Sequence, residues 1–162
     1  MTAPPPPPAS SYQPGYPTAQ VGTELSGFWR RFGAYIIDAI IVGVIGAVIQ
    51  AIVGAIVQPS TTDTTGVTIR SGLIGLVVEL IYFGYLWSRN GQTIGYMALG
   101  IRVVRAEGGP VTLGVAVLRA FLIYLSFAIC LVPAIISAFM IGLGQRKQAI
   151  HDLLVGTVVV RA

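Results

Sequence analysis

The chain has 162 residues, 54% of them hydrophobic and 10% charged, with a mean hydropathy of +0.79. A soluble domain carries about 25% charged residues, so a water-soluble globule is excluded as the leading reading, and the length allows one folded domain. Ten Lys/Arg against six Asp/Glu give a formal charge of +4; in so apolar a chain this excess points to membrane orientation and not to nucleic acid. The single cysteine, Cys130, cannot close an intramolecular disulfide, and no CxxC or Cys/His cluster offers a metal or cofactor site.

Residues 1–24 hold seven of the ten prolines, including the run Pro4 to Pro8. Such a segment buries too little apolar surface to offset its ordering entropy, which predicts a disordered, proline-rich cytoplasmic tail. It lacks the charged start and apolar core of a secretory signal. Residues 25–162 are expected to form the membrane domain.

Residues 34–57 are apolar apart from Asp38 and Gln50, long enough for the roughly 20 residues that cross a hydrocarbon core of about 30 Å. A polar, Thr-rich segment, 58–70, separates this first predicted span from a second, 71–87, interrupted only by Glu79. Between 88 and 112 the pattern becomes finer. Asn90-Gly91-Gln92 reads as a turn, Thr93 as the N-cap of a short helix over 94–99, and Ile101–Arg105 as a strand closed by Glu107-Gly108-Gly109-Pro110.

The last apolar block, 113–144, is too long for one span and is broken by Pro133, so it supplies one or two more segments. Two arguments favour two. Arg30, Arg31, Arg89, Arg102, Arg105, Arg146, Lys147 and Arg161 then all lie on the cytoplasmic side, opposite Arg70 alone. The β-branched run 157–160 also needs a partner strand, which Ile101–Arg105 supplies only if both lie on one face of the membrane. The expected fold is an all-α membrane protein, a polytopic helical bundle with a minor cytoplasmic β-pairing and both termini inside. Trp29 and Trp87 are placed in the aromatic belt at that boundary.

An ionisable group inside a bilayer costs about 2.5 to 3.5 kcal/mol, so each one asks for a reason. Arg31 and Asp38, seven residues apart, lie within about 20° on one helix face and are expected to project toward a common neighbour. Asp152 is the natural partner of Arg31. The group serves either as an ion-pair clasp or as ion and proton sites. Glu79 either carries a proton or hydrogen-bonds a carbonyl or Gln50. Gly43, Ala47, Gln50 and Gly54 form a small-residue face opposite Asp38, suited to close helix packing. Arg119 reads as a snorkelling interfacial residue. His151 has no Ser, Cys or second His at a useful spacing, so no catalytic residue, and no enzyme, is expected.

Three stretches resemble the RDD family of small bacterial membrane proteins, named for one arginine and two aspartates. They are Gly27-Phe28-Trp29-Arg30-Arg31-Phe32-Gly33-Ala34-Tyr35-Ile36-Ile37-Asp38, then Gly91-Gln92-Thr93-Ile94-Gly95 with Leu99-Gly100-Ile101-Arg102-Val103-Val104, and last His151-Asp152 with Gly156-Thr157-Val158-Val159-Val160. By this resemblance Arg31 is the family arginine, with Arg30 a neighbouring contender, and Asp38 and Asp152 are its two aspartates. The chain departs from the pattern after Gly95, where a basic residue is common and Tyr96 stands.

The resemblance implies a multi-pass protein of the bacterial plasma membrane, and some members of the family look like cation/proton antiporters. Two function classes follow. One is a cation/proton transporter using Arg31, Asp38, Asp152 and Glu79; without an internal repeat to enclose a site, it would need a homo-oligomer. The other is a non-catalytic accessory or assembly subunit of a larger membrane complex. The lipid bilayer is the expected partner in either case, with no cofactor and no nucleic acid.

Overall fold

The computed structural model describes residues 24–57, 64–129 and 132–162. The expectations for the proline-rich tail, for the opening of the Thr-rich loop and for Cys130 lie outside the described residues, apart from Glu24.

Two long helices dominate, α1 (Phe28–Ile56) and α2 (Thr64–Asn90), and both are long and apolar enough to cross a membrane. At 1.5 Å per residue, the 29 residues of α1 extend about 43 Å, well beyond the hydrocarbon thickness. At its N-terminal end Trp29 is 77% exposed. Helix α2 starts earlier than the apolar run predicts. Residues 64–70 are helical although polar, and Thr68 back-bonds to the Thr64 carbonyl at 2.9 Å.

The turn at Gly91 leads to the one-turn helix α3 (Ile94–Ala98) and strand β1 (Ile101–Arg105). Then come α4 (Leu113–Ile129), α5 (Val132–Leu143), α6 (Ile150–Val155) and strand β2 (Thr157–Arg161). Pro133 sits in the first turn of α5, where its missing N–H costs no helical bond. The α4 and α5 axes are bent by 119° at the break, so the pair turns back on itself. Both ends of this hairpin return to one end of the molecule, because β1 precedes it, β2 follows it, and the two strands pair antiparallel with Val103 opposite Val159.

The sheet is small but leaves no bare edge on β2. Its second side is taken by the segment before α1: Ser26 N donates to Val159 O at 2.8 Å, and Arg161 N donates to Glu24 O at 2.9 Å. An unpaired β-branched strand would otherwise invite pairing with another chain.

Packing is concentrated at this sheet end. The buried residues of α1 are Arg31, Ala34 and Asp38, all within its first three turns, while Ile40, Val44, Val48 and Ile52 beyond them are exposed. The core gathers Phe83, Trp87, Tyr96, Ile101, Val103, Ala116 and Ala120. Trp87 is therefore a core residue, 1% exposed, and not the belt residue expected. It sits between Phe83 and Tyr96, with ring centroids 4.8 and 5.9 Å away.

Close helix approach also falls elsewhere than expected. A Cβ at Gly43 or Gly54 would meet nothing within 4 Å, and Gly43 and Ala47 are exposed. Gln50 alone of that face is engaged, accepting from Ser71 Oγ at 2.9 Å. The glycine that brings two long helices together is Gly84 on α2, where a Cβ would come within 2.8 Å of Val117 on α4. The small-residue face of α1 is thus exposed at Gly43 and Ala47, and α2 reaches it at Gln50 through Ser71.

Candidate functional site

Arg31 and Asp38 do share the buried face of α1, but they meet different neighbours. Arg31 reaches the sheet and α6. Its Nη1 lies 2.6 Å from Asp152 Oδ2, its Nε donates to Ser26 O at 3.2 Å, and its Nη2 donates to Val159 O at 3.4 Å. All of its nitrogens are spent. Arg30, the neighbouring contender, is exposed.

Asp152 is held from two sides. On the opposite side from Arg31, Arg119 Nη2 lies 2.7 Å from Asp152 Oδ1, and the Arg119 side chain is 1% exposed. Its guanidinium also lies over the Trp87 ring, 4.6 Å from the centroid. The snorkelling role expected of Arg119 is therefore wrong: it points into the protein and forms the third member of a buried triad. The insertion cost applied to Asp38 and Glu79 applies equally to Arg119 and asks for a reason, but it does not say which way the side chain turns.

Asp152 itself is 0% exposed. It stands at the third position of α6 and also accepts the Ala149 N–H at 3.1 Å, so it caps its own helix. Burial alone would raise its carboxyl, but Arg119, His151 and Arg31 around it outweigh burial and hold it down to about 2. The neighbouring His151, Nε2 at 3.7 Å from Oδ1, is pushed down to about 4 chiefly by burial, with Arg119 and Arg31 adding to the shift and Asp152 opposing it. At neutral pH the cluster therefore holds two cations, one anion and a neutral imidazole.

Asp38 is equally buried, at 0% exposure, and is compensated quite differently. Tyr82 Oη donates to Oδ1 at 2.8 Å, the Gly95 backbone N–H to the same oxygen at 2.8 Å, and Thr93 Oγ1 to Oδ2 at 2.5 Å. No cation stands within ion-pair distance among the described residues. The segment Gly91 to Gly95 is built to deliver these donors. Gly91 takes φ +71° at the end of α2, in the left-handed region, and a Cβ there would collide with Val103 O at 2.4 Å. Thr93 caps α3 by accepting Tyr96 N–H at 3.2 Å while its own proton goes to Asp38. Gly95 lies so close to α1 that a Cβ would stand 2.1 Å from Ala34 O and 2.9 Å from Asp38 Cγ.

Tyr96, which stands where a cation was expected by resemblance, is buried in the core beside Trp87. Glu79 lies one turn before Tyr82 on α2. Its buried Oε1 has no hydrogen-bond partner, and Gln50, a suggested partner, is engaged by Ser71. Tyr35, one turn before Asp38, lies within electrostatic reach of both Glu79 and Asp38. No group of three His, Cys, Asp or Glu suited to a metal occurs among the described residues.

The chain is 33% identical over 150 residues to the uncharacterized protein YxaI of Bacillus subtilis strain 168, covering 83% of this chain and 96% of that protein. It is 30% identical over 138 residues to the uncharacterized protein YckC of the same organism, covering 85% of each. No solved structure matches. The RDD family matches residues 25–156, which include both buried aspartates and both arginines that face Asp152, and with two long apolar helices the chain belongs to the RDD family of membrane proteins.

Proposed function

We propose that this chain exchanges a monovalent cation for a proton across the bacterial plasma membrane, with Asp38 as the exchange site. The observation that carries the reading is a carboxylate of 0% exposure at the seam of two membrane helices, held by three neutral donors and, among the described residues, with no cation at ion-pair distance. Such a group is stable in a low-dielectric surrounding when it carries a proton or binds a mobile cation, and exchange between those two states is the chemistry of an antiporter. The oxygens of Tyr82 and Thr93 retain lone pairs that suit a hard monovalent ion. Glu79, one turn from Tyr82 and with an unpartnered buried oxygen, provides a second protonatable group on the way into the bilayer.

Arg31 and Asp152 take no part in exchange under this reading. Together with Arg119 they form the clasp that closes the site from the sheet end, which we assign to the cytoplasmic side because the strands and their flanking arginines lie there. Both termini are cytoplasmic in this arrangement, the membrane domain works as a homo-oligomer, and its activity is transport without catalysis. Purified protein in proteoliposomes should acidify or alkalinise the lumen in response to a sodium or potassium gradient, and Asp38→Asn should abolish that flux while leaving insertion and folding intact.

A second reading, an accessory subunit of a larger membrane complex, is favoured by the exposed small residues Gly43 and Ala47 on α1, where a Cβ at Gly43 would meet nothing within 4 Å. It predicts no flux from the purified protein and unchanged co-purification of a larger complex in the Asp38→Asn variant.

A further inference from the structure

The turn between α5 and α6 carries a groove lined by Met140, Leu153 and the polar run Gln145 to Gln148. The chain is anchored on both sides of it. Gly144 leaves α5 so tightly that a Cβ there would collide with Met140 O, and the buried Gln148 donates from Nε2 to Thr157 O on β2 at 3.0 Å. Between these anchors Lys147 takes φ +45°, in the left-handed region, and its N–H donates to Gly144 O at 3.1 Å. Among the described residues it is the single non-glycine with a positive φ. A glycine would hold the same backbone without strain. The turn's geometry therefore does not account for a lysine at this position, and its side chain asks for a role.

Two cations line the groove and no carboxylate does. Lys147 makes no ion pair among the described residues. It is half-buried, and Arg146 beside it is exposed, so both differ from Arg31 and Arg119, which are buried on Asp152. The apolar part of the lining is equally open. Leu153 is 44% exposed, and the chain neighbours of the groove, Leu143 and Leu154, are 83% and 66% exposed. Accessible leucines beside accessible cations suit the boundary between acyl chains and headgroups, where each type of group finds its own partner. The turn also belongs to the sheet end of a chain with two membrane-spanning helices, since α6 leads directly into β2.

We infer that the groove between α5 and α6 binds the headgroup of an anionic phospholipid, its phosphate on Lys147 and Arg146 and the start of an acyl chain against Met140 and Leu153. A phosphate diester brings a negative charge and several acceptor oxygens to the two cations. Charge selects the lipid class. Phosphatidylglycerol presents that charge uncompensated, whereas phosphatidylcholine brings its own cation toward Lys147 and Arg146. The inference rests on the membrane setting of the chain and not on exchange at Asp38.

The test is a lipid titration of the full chain, delipidated in non-ionic detergent, with phosphatidylglycerol and phosphatidylcholine of identical acyl chains. Bound lipid is counted by native mass spectrometry. The first phosphatidylglycerol should bind at a concentration about tenfold below that of phosphatidylcholine, the factor one charge-assisted contact provides. Arg146→Gln combined with Lys147→Gln should bring the two lipids level. Arg30→Gln, which removes an exposed cation on α1, should leave the preference intact. Lys147→Gly should weaken the preference while its unfolding midpoint is held or raised, because glycine relieves the left-handed backbone. Equal binding of the two lipids by the unaltered chain overturns the proposal, as does a preference that survives the double variant or that Arg30→Gln removes equally. Glycerol phosphate competing at the concentration of the lipid also overturns it, by making the groove a site for free phosphate.

Discussion

Asp38 and Asp152 are the same residue type, both at 0% exposure, and the protein compensates them by opposite means. Asp152 is gripped by Arg31 and Arg119 at 2.6 and 2.7 Å; Asp38 is held by two hydroxyls and one backbone N–H. A carboxylate between two guanidiniums is fixed in its charged form, because losing the charge would strand two buried cations. One surrounded by neutral donors has no such lock. Burial alone therefore does not assign a role to a carboxylate; the charge of the groups facing it does.

The largest expected effect that tests this contrast is on stability. Asp152→Asn should lower the free energy of unfolding in detergent micelles by about 3 to 5 kcal/mol, the cost of an uncompensated buried charge. Asp38→Asn should cost less than Asp152→Asn. Equal losses would break the comparison. The double exchange Arg31→Asp with Asp152→Arg should recover nothing, because it sets a cation against Arg119; recovery would mean that Arg119 is not part of the clasp.

Acid titration should separate the two sites next. His151 is held at about 4 against an ordinary 6.5, so between those values the unfolded chain binds a proton that the folded one refuses, and stability falls as pH falls. Asp152, held at about 2 against 3.8, adds a further loss between those two values in the same direction. His151→Gln should remove the upper step and shrink the lower without abolishing it, since Arg119 and Arg31 still hold Asp152 down, measured as unfolding midpoint against pH.

On the Asp38 side, Tyr82→Phe deletes one donor and should cost about 1.5 to 3 kcal/mol if the carboxylate is charged in the resting protein. A loss near 1 kcal/mol would indicate a protonated Asp38 accepting a neutral bond. Gly95→Ala forces a Cβ against Ala34 O and should cost about 1 to 3 kcal/mol by pushing α3 off α1. Gly54→Ala, with open space at its Cβ, should leave stability unchanged or slightly improved, which would sharpen the finding that Gly54 is not a close-packing position among the described residues.

Much of this was legible from the residues. Hydropathy marks α1 and α2; Thr93, the strand alternation and the β-branched run after Gly156 place α3, β1 and β2; and the chemistry of an arginine at a helix start points to Asp152. Arg119 was misread because a lone cation in an apolar helix looks the same whether it snorkels outward or turns inward, and only the position of Asp152, 33 residues further along the chain, decides between them. Trp87 was misread for a related reason: an aromatic at the end of a span suits both an interface and a core. The donors on Asp38 come from α2 and the Gly91 to Gly95 segment, and no periodicity within α1 encodes them.

The ion pair between Arg31 and Asp152 joins positions 121 residues apart, which bears on how the protein is made. Synthesis delivers both guanidiniums long before the carboxylate that neutralises them. Until α6 emerges, Arg31 and Arg119 lack the carboxylate that neutralises them, and burying either alone would leave an uncompensated charge. The last segments of the chain thus complete the burial of two arginines contributed by its first and fourth helices.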